Sequence, residues 1–325
     1  VKTLLGILLG LLAAVGAVLA VLTLRFRRNQ QRADETWTSL EPEPLDLEPV
    51  ERLTIRPLID ARTANEDLWG ESGVSYFVEA GATRVLFDLG FNSEQISPSP
   101  LQRNAEYLGV DLDTANAVVI SHRHLDHVGG MKAQMAHSFV LPTAKMEDNG
   151  TEVYVPEALQ HPTADVRLVA GPQQIAPGVA SLGPISRALF VMGLTPEQAL
   201  AVNVAGKGIV LIVGCGHQGV QRMVERAEAL FDEPLYGLVG GLHFPVTGSP
   251  AQRFLGSDRP PWKPLSMADV EKAILYLKEK GLKWVALSAH DSCERTLGAF
   301  QNAWGAGFEV VTVGQMLEVD GGELR

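Results

Sequence analysis

Three of the eight histidines, His122, His124 and His127, fall within six residues and frame Asp126. Imidazole nitrogen and carboxylate oxygen are the usual protein ligands of zinc and similar divalent ions. The run Ser121-His122-Arg123-His124-Leu125-Asp126-His127 follows the apolar stretch 115–120. In a loop after a strand, His122 and His124 can point the same way, while Asp126 and His127 can serve a second ion. Gly129-Gly130 lets backbone pass close behind. The competing reading is an exposed or pH-sensitive polar loop.

Three further histidines follow strand-like runs. They are His217 in Gly214-Cys215-Gly216-His217-Gln218-Gly219, His243 in Gly240-Gly241-Leu242-His243-Phe244, and His290 in Ser288-Ala289-His290-Asp291. Each stands where a sheet end would meet the site. For His243 and His290 the other readings are a core histidine and a group that donates to a ligand. His137 and His161 lack such context and are expected on the surface. The two cysteines, Cys215 and Cys293, form no disulfide framework, and a reducing compartment is the simpler reading. Each reads either as a small buried thiol or as a group near the metals. Arg123 and Arg295 read as anion contacts or as salt-bridge partners.

The elements that must position these residues are strands and helices in alternation, with hairpins among them. Strands are expected at 52–59, 74–79, 83–87, 115–120, 199–204, 208–213, 234–239, 284–287 and 309–313, and short strands broken by Pro and Gly between 138 and 189. Helices are expected at 99–108, 128–136, 220–230, 266–280 and 294–304. In the fourth of these, Ser266 and Asp269 have capping-box spacing. Residues 249–264 read as a Pro-rich loop that would roof the pocket or cover the sheet. Alternation with hairpins predicts an α/β protein with two mixed sheets flanked by helices, not one parallel sheet.

Residues 4–24 form 21 consecutive positions without charge. As a helix at about 1.5 Å per residue they span roughly 30 Å, the thickness of a hydrocarbon core. Residues 1–32 are therefore expected to be a transmembrane anchor with a basic flank. A secretory signal is the alternative. Lys2 precedes the run and Arg25, Arg27, Arg28 and Arg32 follow it, which puts the body in the cytoplasm. Export is the alternative. Gly6 and Gly10 have the spacing that packs two anchors into a homodimer. Residues 33–51 hold seven acidic residues and three prolines and are expected to be an extended, solvated linker. Residues 52–325 form the catalytic body. The net charge is −11 and no dense basic patch occurs, so nucleic acid is not an expected partner.

The segment 121–127 resembles the second motif, HxHxDH, of the metallo-β-lactamase superfamily, and the resemblance extends along nearly the whole body. Phe87-Asp88-Leu89-Gly90 resembles the first motif, which implies that Asp88 orients the metal-binding loop without being a ligand. The segment 214–219 resembles the third motif and implies that His217 serves the first metal. The combination of Gly-Cys-Gly-His, Gly-Gly-Leu-His and a late His resembles the branch named for dihydropterin–ribofuranosyl-aminobenzene-phosphate synthases. Members of that branch end on His-Cys-Thr-Gly, where this chain has His290-Asp291-Ser292-Cys293-Glu294. Many members also carry a bridging aspartate. Asp232, Asp258 and Asp269 lack its strand-end setting, and His243 is taken to occupy that place.

The resemblance implies an αββα sandwich preceded by one transmembrane helix. It implies two divalent cations, zinc first with manganese or iron as alternatives. His122, His124 and His217 would hold one ion, and Asp126, His127 and His290 the other, with His243 as a further site residue. A water shared by two cations drops in pKa from about 15.7 towards about 7, and the resulting hydroxide attacks a carbonyl or phosphoryl centre. Asp126 would orient it or shuttle its proton. An apolar wall would favour amides or esters and basic residues would favour phosphates. The expected function is a membrane-anchored metal-dependent hydrolase of a small molecule. The alternatives are a pterin-type synthase or transferase and a non-catalytic metal-binding membrane protein. A β-lactamase proper is not expected from a body in the cytoplasm.

Overall fold

The computed structural model describes residues 2–148, 150–248 and 250–322. Val1 of the expected anchor, Ser249 of the expected loop and residues 323–325 of the expected body lie outside the described residues.

The chain opens with α1 (Lys2–Ser39) and enters the body with β1 (Arg52–Ile59), β2 (Ser75–Ala80) and β3 (Thr83–Phe87). Then follow α2 (Pro100–Tyr107), β4 (Ala117–Val119), α3 (Met131–Met135), α4 (Ala144–Asp148), β5 (Glu152–Val155) and β6 (Asp165–Leu168). The second half holds β7 (Gln173–Ala176), β8 (Val179–Ser181), the hairpin β9 (Ile185–Leu189) and β10 (Gly193–Glu197), β11 (Leu200–Val204) and β12 (Gly208–Val213). It closes with α5 (Val220–Leu230), β13 (Leu235–Gly240), α6 (Pro250–Leu255), α7 (Met267–Glu279), β14 (Trp284–Leu287), α8 (Glu294–Trp304), β15 (Phe308–Val310) and β16 (Leu317–Asp320).

Two seven-stranded sheets result, β16-β1-β2-β3-β4-β5-β6 and β15-β14-β13-β12-β11-β8-β7. In each, one half is antiparallel and the other parallel. The facing surfaces meet in one apolar layer, with Ile55, Tyr76, Val78 and Phe87 against Val202, Val210, Ile212 and Ala286. Helices α5, α7 and α8 cover the outside of the second sheet through Met223, Val224, Val270, Leu277, Leu297 and Phe300. Helix α2 covers the first through Leu101 and Ala105. This is the expected sandwich of two mixed sheets with outer helices. Apolar runs buried on both faces explain it, since β11 and β12 have no exposed residue.

Several elements differ from expectation. The helix expected over 128–136 is only Met131–Met135, because Gly129 and Gly130 take positive φ of 85° and 118° and hold the backbone out of the helix. The expected loop 249–264 contains α6. The strand expected at 309–313 is Phe308–Val310, and an additional strand, β16, returns to pair with β1. His161, expected on the surface, is half-buried and stacks on Phe139 at 4.8 Å between ring centroids.

The largest departure lies in residues 33–51, where 33–39 are helical and the largely exposed remainder is pinned to the body at Leu47. The first helix continues through Ser39. Phe26, Asn29 and Ala33, at helical spacing, are buried. Phe26 packs edge-on against Phe190 at 5.4 Å in the β9–β10 hairpin. Arg222 pairs with Asp34 and, with Arg226, lies over the Trp37 ring. After the helix, Leu47 is buried in the core and its carbonyl accepts from Asn203 Nδ2 at 2.9 Å. One N-terminal helix is long and apolar enough to cross a membrane, by length and composition, as a signal sequence also is.

Candidate metal centre

The loops that follow β1, β3, β4, β12, β13 and β14 gather at one end of the sandwich. They lie beyond the carboxyl ends of the parallel strands, where α/β folds place their ligands. The loop after β4 carries His122, His124, Asp126 and His127. Its anchor is Asp88, whose carboxylate accepts from Ser121 N–H at 2.6 Å, Ser121 Oγ at 2.7 Å and His127 Nδ1 at 2.7 Å. Asp88 itself sits at φ 60° with no exposed surface. Asp88 thus ties the start and the end of the loop together through Ser121 and His127.

Three imidazoles at the centre, His122, His127 and His290, have Nδ1 tied, which leaves Nε2 aimed inward. Ser121 donates to Asp88, so its Oγ accepts from His122 Nδ1 at 2.9 Å. His127 Nδ1 donates to Asp88, and His127 Nε2 lies 3.1 Å from Cys215 Sγ. His290 Nδ1 donates to Ser288 Oγ at 2.6 Å, and Ser288 in turn donates to Asp60 Oδ2 at 2.6 Å. His290 Nε2 then faces Cys215 Sγ at 3.2 Å. Such ties fix the tautomer and raise ligand basicity.

The donor atoms form two groups, Asp126 with His127, Cys215 and His290, and His122 with Cys215 and His217, each within 4.8 Å. His124 Nδ1 lies 2.9 Å from His122 Nε2, and its ring is 5.0 Å from that of His217. His243 stands beside His217 at 4.5 Å between ring centroids. It takes φ 49°, and its backbone N–H donates to Asp291 Oδ2 at 2.8 Å. All seven sequence-predicted site residues and Asp88 thus come to one end of the body. His137 is exposed, outside the centre. Arg123 turns away to Glu157 and the Gln134 carbonyl, and Arg295 is exposed.

The protonation states suit cations. Burial pushes His122, His217 and His290 well below the usual imidazole range, His124 to about 3 and His243 to about 4. Their lone pairs are free at neutral pH. At His127 burial opposes the charge, but Asp88 and then Asp126 outweigh it and raise the group to about 9. Binding a cation there is coupled to proton release. Burial raises the Asp126 carboxyl. His217 Nδ1 and both ring nitrogens of His243 are buried with no hydrogen-bond partner among the described residues. A buried polar atom without a partner costs about 1–3 kcal/mol. The donor set and these orphaned nitrogens fit divalent metal binding.

Four contributors carried little signal in the sequence. Asp60 is buried and takes hydrogen bonds from Ser288, Tyr76 and the Ala61 N–H. Glu197 is buried at the end of β10 and accepts from Gly216 N–H at 2.8 Å, holding the loop that carries His217. Asp291 fixes the backbone of His243. Cys215 touches both donor groups. Two of them had a cue: Asp60, a carboxylate directly after an apolar strand as at Asp88, and Cys215, two residues before His217, which also reads as a group near the metals.

Beside the centre opens a cavity of about 430 Å³ with His217 and His243 in its wall. Arg187, Arg222, Arg259 and Lys272 line it, against Glu225, Asp258 and Asp269. Arg187 and Arg259 pair with Asp258 and Asp269, while Lys272 has no ion pair among the described residues.

Comparison with known proteins supports the fold. Residues 68–151 match the profile of the metallo-β-lactamase superfamily. A metal-dependent hydrolase of the β-lactamase superfamily of known structure superposes with a TM-score of 0.59 at 22% identity, covering 82% of this chain and 99% of its own. The 7,8-dihydropterin-6-methyl-4-(β-D-ribofuranosyl)-aminobenzene-5'-phosphate synthase of Methanocaldococcus jannaschii is 23% identical over 223 residues, 55% of this chain and 73% of that protein. An uncharacterised protein of the same organism is 28% identical over 213 residues, 58% of this chain and 78% of that protein.

Proposed function

We propose that this chain, whose body has the metallo-β-lactamase fold, is a membrane-tethered, metal-dependent hydrolase with a dinuclear centre. In this reading residues 4–24 are the anchor and 52–325 the catalytic body, facing the cytoplasm. His122, His124 and His217 hold one cation, Asp126, His127 and His290 the other, and Cys215 lies between. His243 borders the centre on the cavity side. The observation that carries the reading is the convergence of two donor groups on one thiol, with His127 and His290 each steered by a hydrogen bond from its Nδ1.

Two divalent cations held there would supply Lewis acidity and a water acidic near pH ~7. The chain's own part is positional. The Asp126 carboxylate is half-buried with Oδ2 3.7 Å from His127 Nε2, where it can take and return a proton. Asp88 and Asp60 hold the imidazoles. Lys272, without an ion pair among the described residues, is the cavity group that would meet an anionic substrate, phosphoesters first.

The test is metal analysis of the full chain, with turnover of a generic phosphodiester and a simple lactone. Two equivalents per chain are expected, reduced in His124→Ala and Asp126→Ala, with hydrolysis only in the presence of metal. Turnover that persists after complete chelation would sink the reading. A second reading, a synthase of the pterin type, is supported by the similarity to the methanogen protein over 55% of this chain. Product analysis with a dihydropterin substrate separates the two, since bond formation favours the synthase and its absence removes it.

A further inference from the structure

We propose that the tip of the β9–β10 hairpin and the segment 255–262 form a second membrane contact, so that the body rests on the bilayer beside its own anchor. The inference rests on reading residues 4–24 as that anchor. The apolar run ends at Leu24, and Leu22 and Phe26 pack with Ala188, Phe190 and Val191 in one small cluster. Arg25 donates to the Val191 carbonyl. The hairpin tip therefore touches the helix within about one turn, ~5.4 Å of rise, of the last apolar residue. A bilayer that takes the run brings the tip to its boundary.

The groups exposed there have the chemistry of that boundary. Met192 at the turn and Leu194, the cross-strand partner of Ala188, are 36% and 38% exposed. The Phe190 N–H donates to the Ser257 carbonyl at 2.9 Å, which ties the second segment to the tip. That segment presents Leu255 at 50% and Trp262 at 62% exposure, and the Trp262 ring stands 5.6 Å from Phe190. Tryptophan favours the headgroup level, and Arg25, Arg27 and Arg28 on the adjoining helix turn favour anionic headgroups. Continuity with the anchor selects lipid as the occupant over a second copy of the chain. Their chain neighbours Arg187, Gly256 and Asp258 line the cavity beside the metal centre. The contact thus places the cavity wall against the bilayer and suits substrates that are amphiphiles with an anionic head.

The test uses the full chain reconstituted in phosphatidylcholine–phosphatidylserine vesicles, with dibrominated phosphatidylcholine as the quencher of tryptophan fluorescence. Trp262→Phe, at an exposed position, is expected to remove about half or more of the lipid-dependent quenching, as an interfacial tryptophan would. A chain that floats with the vesicles but loses no quenching on this substitution overturns the contact and leaves the anchor standing. A chain that does not float overturns both. Trp262 shielded from brominated lipid and from aqueous acrylamide alike, in a species of doubled mass, assigns the patch to a second copy and also overturns the contact.

Discussion

Asp60 reaches the centre through Ser288, which donates to its carboxylate and accepts from His290. Asparagine in its place keeps the shape but not the carboxylate that takes the Ser288 hydroxyl proton and so keeps Ser288 Oγ an acceptor for His290 Nδ1. Asp60→Asn is expected to weaken metal binding about 10–100-fold, as outer partners of ligating histidines do. Competition with a fluorescent chelator reads this, and an affinity unchanged within twofold would strip Asp60 of the role. The same variant makes a pH prediction. Burial raises the Asp60 carboxyl from 3.8 to about 6. The folded chain therefore holds that proton more tightly than the unfolded chain. The stability this contributes is complete below pH 3.8 and is lost as pH rises through about 6. In chelator, wild type is expected to lose about 3 kcal/mol relative to Asp60→Asn between these limits. Parallel urea titrations at pH 4 and pH 7 check this, and parallel pH profiles for the two proteins would refute the burial argument.

At the scale of elements, the strand ends are as constrained as the ligands. Gly240 closes β13 at φ 118°, and a Cβ there would lie 1.9 Å from the Val213 carbonyl oxygen of the neighbouring strand. Gly240→Ala is expected to cost about 3 kcal/mol or more, a fall in Tm of roughly 6–12 °C for a body of this size. Calorimetry decides, and a Tm within a degree of wild type would mean the two strands shift apart freely. The same scale shows what was legible in the sequence. Buried strands such as β11 and β12 announce themselves as unbroken apolar runs. The cluster at 122–127 announces itself because its donors are adjacent in the chain. Asp60 and Ser288 are separated by 228 residues, so their hydrogen bond exists only once both sheets are assembled. Cys215 reads either as a small thiol or as a group near the metals until His127 and His290 arrive from other loops. Residues 33–39 read as polar tether because their helix is held by Arg222 and Arg226, which belong to a different element. Short β16 gives too little alternation to be seen before β1 is present to pair with it.

At the scale of the whole molecule, the centre joins the two halves of the sandwich. His122, His124, Asp126 and His127 come from a loop of the first sheet, and Cys215, His217, His243 and His290 from loops of the second. Between the sheets below lies mainly apolar contact, which has no direction, with hydrogen bonds such as Thr83 Oγ1 to the Pro177 carbonyl beside it. Cations bound across the seam would therefore act as a staple as well as supplying chemistry. A ligand bound only by the folded state adds about 2.7 kcal/mol at a hundredfold excess over Kd. Chelation is expected to lower the Tm of the full chain by roughly 5–10 °C, and added zinc to restore it in proportion to the logarithm of its concentration. The double variant His217→Ala with His290→Ala, which takes from each proposed cation a donor of the second sheet, is expected to abolish most of that shift. A shift that survives in this variant would place the bound metal within one sheet's loop and deny it any part in holding the halves together.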